Sequence, residues 1–356
     1  MIQQIKKYYN LEEVIINFFI NILQIYINQQ KQFLSSSLSS HQVLHINLSK
    51  NQICDKGASG LGSGLAKCIN LSNLTLYFGS SVQNGASSLP PIRFGPSLLP
   101  RRPLVTFTFL HGIFRNKGGG IGFEPPISLL RPSDSPTRAA QPFFQIGDKG
   151  ASDLGSGLAK CINLSNLTLQ LQCNEIGDKG ASGLGSGLAN CINLSNLTLY
   201  LQRNKIGDEG ASDLGPALAK CINLSNLTLN LSSNKIGDKG ASVLGSDLAK
   251  CINISNLTLQ LAWNQIGDKG ASGLGSGLAK CINLSNLTLE LALNDFGGKF
   301  ASGLGSGLAQ CINLSNLKLI FIISDSLDES QELKLISKCL KSKRLVVYKK
   351  KFIYDY

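Results

Sequence analysis

The sequence predicts an α/β array, made by stacking short helix-and-strand units along one axis, and three observations predict it. A thirty-residue text, "IGDKGASGLGSGLAKCINLSNLTLxLxxNx", begins at Ile53 and recurs without slippage from Ile146, Ile176, Ile206, Ile236, Ile266 and Phe296. Each copy holds a helical period followed by an alternating one. A single copy is also too small to stand alone, because ordering thirty residues costs more than its few apolar side chains return on burial. Each unit must therefore share its core with the next.

In the first half of a copy, Ala151, Leu154, Leu158 and Ile162 fall on one face at helical spacing. Asp148 stands just ahead of them, where a carboxylate can cap the first free amides of the helix. Gly150, Gly155 and Gly157 lie inside the same helix, each costing about 0.5 to 1 kcal/mol relative to alanine. Such a helix depends on its neighbours, and its glycines point to close backbone contact between turns. In the second half, Leu167, Leu169 and Leu171 alternate as in a strand with one buried face.

The stretch "LTLQLQCNEIGDKGASGLGSGLANC" resembles a leucine-rich repeat of the ribonuclease-inhibitor type. It carries the Lx-Lx-xN-x-I core, the asparagine turn and a following helix. It is also similar to the long, nearly identical arrays of single-celled eukaryotes. The match spans about residues 43 to 78 and 146 to 348, and departs from the usual form by a strand segment two residues longer. The resemblance implies an α/β leucine-rich-repeat solenoid, with a curved parallel sheet inside and helices outside. It further implies that Asn174, Asn204, Asn234, Asn264 and Asn294 bond the backbone of the bend as an internal ladder. Asn51 opens that column, and Ser81 and Ser324 break it.

Five segments follow. Residues 1–42 read as an amphipathic helix, with Glu13, Asn17, Asn21, Gln24 and Asn28 on one stripe and Val14, Phe18, Ile22 and Ile25 turned away. Its expected role is a cap on the open end of the array; a membrane-surface anchor, a targeting segment and poor order are the alternatives. It is too polar to span a membrane, and no small-residue cleavage site follows it. Residues 43–78 hold the first repeats. Residues 79–144 contain ten of the eleven prolines and six of the eight arginines, with no trace of the repeat. They read as a disordered insert, with an Arg/Pro docking segment or a gene-model error as alternatives. Residues 145–323 are the tandem array. Residues 324–356 read as a capping unit with a strand at Leu345 to Tyr348 and a solvated basic tail at Lys349 to Lys351.

Composition restricts the function. The formal charge of +12 divides as +2 over residues 1–52, +1 over 53–78, +5 over 79–145, +1 over 146–323 and +3 over 324–356. The array is nearly neutral, so it lacks the basic stripe that nucleic acid requires. Of ten cysteines, eight hold one repeat position: Cys68, Cys161, Cys191, Cys221, Cys251, Cys281, Cys311 and Cys339. They read as free packing thiols, with a redox role as the alternative. Zinc is disfavoured by the absence of a CxxC pair. Every copy but the last also carries two glycosylation sequons, as at Asn163-Leu-Ser165 and Asn166-Leu-Thr168. Stacked glycans and a row of free thiols fit an oxidising lumen badly, and a cytoplasmic location is expected.

Catalytic motifs are weak. Asp295-Phe296-Gly297 spells a kinase metal-binding motif but falls in register with Asn-x-Ile-Gly and has no partner motifs. "KGGGIG" at 117 to 122 lacks the lysine and hydroxyl of a phosphate loop. The Asp148, Asp178, Asp208, Asp238 and Asp268 column reads as caps rather than a calcium ladder. No histidine shares a repeat with the serines. No enzyme activity and no cofactor are expected.

What varies between copies lies on the strand face opposite the leucines. Successive rows read Gln170, Gln172, Cys173, Glu175; Tyr200, Gln202, Arg203, Lys205; Asn230, Ser232, Ser233, Lys235; Gln260, Ala262, Trp263, Gln265; and Glu290, Ala292, Leu293, Asp295. Helical surface positions such as Lys149 and Lys160 change less. A surface of this kind suits a protein or peptide partner, with Tyr200, Arg203 and Trp263 as its anchors; neutral drift after duplication is the plain alternative. The expected function is a non-enzymatic interaction scaffold that binds a protein or peptide on the inner strand face. Two alternatives belong to other classes. One is a regulatory arm of a separate enzyme such as a kinase; the other docks nucleic acid or acidic lipid through the basic insert and termini.

Overall fold

A computed structural model describes residues 42–48, 53–78, 105–108, 145–320, Ser337 and 347–351. In chain order the elements are β1 (Val43–Asn47), α1 (Asp55–Leu65), β2 (Asn73–Tyr77), β3 (Val105–Thr108), α2 (Asp148–Leu158), β4 (Asn166–Gln170), α3 (Asp178–Leu188), β5 (Asn196–Tyr200) and α4 (Asp208–Lys220). They continue as β6 (Asn226–Asn230), α5 (Asp238–Leu248), β7 (Asn256–Gln260), α6 (Asp268–Leu278), β8 (Asn286–Glu290), α7 (Phe300–Leu308), β9 (Asn316–Ile320) and β10 (Val347–Lys351). The strands form one sheet in the order β10-β9-β8-β7-β6-β5-β4-β2-β1-β3. All its pairings are parallel, as in Leu167↔Leu197 and Thr168↔Thr198 between β4 and β5. Each helix packs on the helices of the copies beside it.

The core is one continuous column of equivalent side chains. Ala151, Leu154, Leu158, Cys161, Leu164, Leu167, Leu169 and Leu171 are all buried, and their counterparts continue the same cluster in the other copies. The glycines explain how the helices come so close. A β-carbon on Gly155 would lie 2.5 Å from the carbonyl oxygen of Gly183 and 2.8 Å from the Cα of Leu184, and one on Gly157 would strike the carbonyl of Gly62. Helix backbones thus pack directly on one another, and each glycine's lost helix propensity is offset by contact with the next copy.

Two expectations need correction. Asp148 does not precede its helix; Gly147 is the N-cap, with no side-chain cap bond, and Asp148 is the first helical residue. Its carboxylate instead accepts the amides of Gly177 at 2.7 Å and Gly180 at 2.8 Å, at the start of the next helix. Asp55, Asp178, Asp208 and Asp238 do the same for the copies that follow them. A β-carbon on Gly180 would sit 2.7 Å from Oδ1 of Asp148 and 2.9 Å from its Cα. The capping is real but passes between copies, because stacking sets each helix start against the carboxylate of the one before.

Ile162 is not on the buried helical face either. α2 ends at Leu158, and Ile162 lies in a turn closed by the Leu164 amide on the Cys161 carbonyl at 3.1 Å. Its side chain is 53% exposed. Cys161 and Leu164 anchor the turn in the core, which leaves the two residues between them facing outward.

The last full copy departs in a coordinated way. Phe300 occupies the slot that is Gly270 one copy earlier, is fully buried, and stacks on Phe296 with ring centroids 3.9 Å apart. α7 accordingly starts at Phe300, and Asp268 caps Gly297 and Lys299 instead.

Both ends of the sheet carry further findings. β3 arises within segment 79–144 and pairs with β1, Leu44↔Val105 through Asn47↔Thr108. β10 runs from Val347 to Lys351, so it begins later than the expected Leu345–Tyr348 strand and takes in the lysine run, Lys350 pairing with Leu319. The expected N-terminal helix, the remainder of the insert, Asn51, Ser81 and Ser324 lie outside the described residues.

Candidate functional site

The strand face is held by polar columns that bond one copy to the next. Asn204 donates from Nδ2 to the carbonyls of Leu201 at 2.9 Å and Leu171 at 3.0 Å, and its Oδ1 accepts the Ile176 amide at 3.1 Å. Asn234, Asn264 and Asn294 repeat the pattern. This is the asparagine ladder that the resemblance implies. A second ladder opens each strand: Asn196 Nδ2 donates to Asn166 Oδ1 at 2.6 Å, Asn226 to Asn196 at 2.6 Å, and so on to Asn316 on Asn286 at 2.5 Å. A third uses Asn193, which donates to the Ile162 carbonyl at 2.9 Å, with Asn223, Asn253, Asn283 and Asn313 alike.

These columns narrow the candidate surface. Asn166 and Thr168 share the outward face of β4 with Gln170 and recur unchanged through β8. Variation begins only at the last strand residue and runs through the bend. There the register sets Gln170, Tyr200, Asn230, Gln260 and Glu290 side by side. Gln170, Gln172, Glu175, Tyr200, Gln202, Gln260, Glu290 and Leu293 are half-buried, while Arg203, Lys205, Lys235 and Trp263 are exposed. Asn230 is buried at 9% exposure, its Oδ1 accepting the Ser232 amide at 3.0 Å, so it shapes the rim rather than presenting itself. Lys205 pairs with Glu175 across neighbouring copies, and Gln260 Nε2 donates to Glu290 Oε2 at 2.6 Å.

The bend adds a feature invisible in the letters. Cys173, Arg203, Ser233, Trp263 and Leu293 all have positive φ, at 59°, 58°, 56°, 56° and 55°. That left-handed region favours glycine and asparagine. The conformation is imposed from outside: the Arg203 amide donates to the Ser232 carbonyl at 2.9 Å and the Trp263 amide to the Ala292 carbonyl at 2.9 Å. The asparagine that follows each of them is fixed by its ladder. The side chains are therefore carried on a rigid, strained bend, and Trp263 is 58% exposed.

The cysteine column is buried and free of disulfides from Cys68 to Cys311. Burial pushes the thiols up to about 12 at Cys161, Cys191 and Cys251 and about 11 at Cys68, Cys221 and Cys281. Neutral thiols of this kind are poor nucleophiles. Sγ of Cys221 instead sits 3.3 Å from the Leu188 carbonyl of the copy before. Among the described residues no three His, Cys, Asp or Glu side chains converge as metal ligands, and no helix is long and apolar enough to cross a membrane.

The family model for the leucine-rich repeat matches residues 39–62, 163–185, 193–215, 223–245 and 253–275. Those five matches fall on the copies whose strands alternate with helices in one open parallel sheet. The copies are leucine-rich repeats. No curated protein matches the sequence of this leucine-rich repeat chain. Among solved structures, the chain is similar to leiomodin-1 actin-binding site 2, at 15% identity and a TM-score of 0.32 over 44% of this chain and 88% of that one.

Sequence reasoning identified the variable rows of the repeat, which begin at the Gln170 column and leave the Asn166 and Thr168 columns constant. It gave no sign of the left-handed bend, because none of the five residues there is a glycine or asparagine.

Proposed function

We propose that this leucine-rich repeat array is a non-enzymatic scaffold that grips a protein or peptide along the rim formed by the strand ends and bends. The left-handed column carries the reading. A non-glycine residue in that conformation costs about 1 kcal/mol, so unselected drift would admit glycine or asparagine there. Five copies instead carry Cys173, Arg203, Ser233, Trp263 and Leu293. Strain kept at one column of an otherwise uniform frame, half-buried at Cys173, Ser233 and Leu293 and exposed at Arg203 and Trp263, marks a site where the side chain matters more than the backbone. Arg203 and Trp263 are residue types enriched in binding hot spots, and Tyr200, Gln202 and Lys205 stand in the same row of the repeat as Arg203.

A cytoplasmic setting fits the same geometry. Asn193 and Asn196, the two sequon asparagines of one copy, both donate from Nδ2 into the preceding copy. A glycan on either nitrogen would remove a ladder bond.

The test is affinity capture from native lysate by the wild-type chain beside a Tyr200→Ala, Arg203→Ala, Trp263→Ala variant. Loss of one or more partners by the variant, at unchanged circular dichroism, is the expected result. Equal recovery of every partner would remove the reading.

A further inference from the structure

Seven isoleucines face outward in one row. Ile69, Ile162, Ile192, Ile222, Ile252, Ile282 and Ile312 are 50% to 61% exposed, and with Trp263 they make up the exposed large hydrophobic residues among the described ones. Each occupies the turn between a helix end and the next strand. Since the strands are in exact parallel register, these turns stack directly, and at the strand spacing the row is about 30 Å long. It is a rigid row. The backbone carbonyl beneath each isoleucine from Ile69 to Ile282 accepts the side-chain amide of the next copy's asparagine, at 2.6 to 3.1 Å.

The charge beside the row has one sign. Two residues before each isoleucine stand Lys67, Lys160, Lys220, Lys250 and Lys280, all exposed, with Asn190 and Gln310 in the other two copies. Residues 159 to 166 and their counterparts in the other copies contain no Asp or Glu. The nearest carboxylate in sequence, Asp247, is buried and paired with Lys250 at 2.6 Å. The capping aspartates sit at the opposite ends of the helices. Lysine at a helix C-terminus also answers the helix dipole, but a half-exposed isoleucine has no such role, and a long apolar row is unusual on a free surface.

We propose that this flank docks the array on an anionic membrane surface, the isoleucines entering the headgroup layer and the lysines meeting lipid phosphates. Charge complementarity selects the occupant: a second copy would bring lysine against lysine. Uniformity argues the same way. The rim described above differs in every copy, as recognition of a particular protein demands, whereas this row presents the same isoleucine seven times, as suits a laterally uniform surface. Apolar insertion with flanking basic charge is the physical recipe for interfacial binding.

The experiment is vesicle co-sedimentation of the full chain, with phosphatidylcholine vesicles and with phosphatidylcholine–phosphatidylserine vesicles. Two variants accompany it, I192S/I222S/I252S/I282S and K160Q/K220Q/K280Q; all these side chains are exposed, and thermal melts check that both variants fold. The wild type is expected to bind only the anionic vesicles, less strongly as salt rises. Each variant should lose at least about tenfold in partitioning. Absence of wild-type binding, or undiminished binding by the serine variant, overturns the proposal. So does a wild-type dimer that the serine variant loses, which would seat a second copy on the row. Without vesicle binding, an acidic protein captured by the wild type but not by the serine variant overturns it as well. The Tyr200, Arg203, Trp263 variant should bind vesicles normally, so the two surfaces can fail separately.

Discussion

Oδ1 of Asp148 lies 2.8 Å from the amide nitrogen of Gly180, one copy further along, and the Cα of Asp148 lies 2.9 Å from where a β-carbon on Gly180 would be. The aspartate and the glycine are thus one device: the carboxylate caps the next helix, and the missing side chain lets it approach.

Gly210→Ala tests that device. Its new methyl would meet Asp178 Oδ1 at 2.7 Å and the Asp178 Cα at 2.9 Å, so the cap must open. Loss of a helix cap costs about 1 kcal/mol and backbone displacement adds to it. Urea unfolding should show a loss of roughly 2 kcal/mol or more. Alanine at an ordinary exposed helical glycine would stabilise, so the sign of the change decides.

Asn204→Ala should be among the most damaging single changes to the frame. It leaves the buried Ile176 amide without its partner and takes one of two side-chain donors from each of the Leu171 and Leu201 carbonyls, which keep Asn174 and Asn234. At about 1 to 3 kcal/mol for a buried polar group left unpaired, a total loss of roughly 3 kcal/mol is expected. Hydrogen exchange should locate the opening at the junction between the two copies.

Trp263 separates stability from binding. Trp263→Gly relieves a φ of 56° while adding backbone entropy to the unfolded chain, and the two effects nearly cancel. Stability should stay within about 0.5 kcal/mol. Trp263→Val should cost about 1 kcal/mol or more, because a β-branched residue fits the left-handed region worst. Partner capture should fall in both variants; strong capture by Trp263→Gly would count against the rim.

The buried thiols predict a pH limit. Their folded values of about 11 to 12 lie above the ordinary value of 9.0. Below pH 9 both states keep the proton and the stabilisation is complete. Between about 9 and 12 the unfolded chain loses protons that the folded chain retains, so unfolding becomes favoured. The thermal midpoint should drop across that window, with a shallower slope in Cys191→Ala, Cys221→Ala, Cys251→Ala. At neutral pH, alkylation should reach the half-buried Cys54 and Cys173 well before the buried cysteine column.

The fold was largely legible in the letters. Leu167, Leu169 and Leu171 alternate, Ala151, Leu154 and Leu158 follow a helical period, and the thirty-residue spacing makes stacking compulsory; the structure has each of these in its core. Ile162 misled because it continues the helical spacing four residues past Leu158, whereas the turn closed by Cys161 and Leu164 redirects it to solvent. The variable rim was legible as change between copies, but not the left-handed backbone that carries its middle column.

By itself, the sequence determined the units, their period, their shared core and the columns that vary, since all of these are patterns along one chain. Tertiary structure alone decided which copy each polar residue serves. In a chain of near-identical repeats, Asp148 capping its own helix and Asp148 capping the next one leave the same signature. Only the three-dimensional stagger of one coil on another distinguishes them. The left-handed bend at Trp263 has the same cause: its amide bonds the Ala292 carbonyl of the neighbouring copy, and such a bond forms only once the copies are stacked.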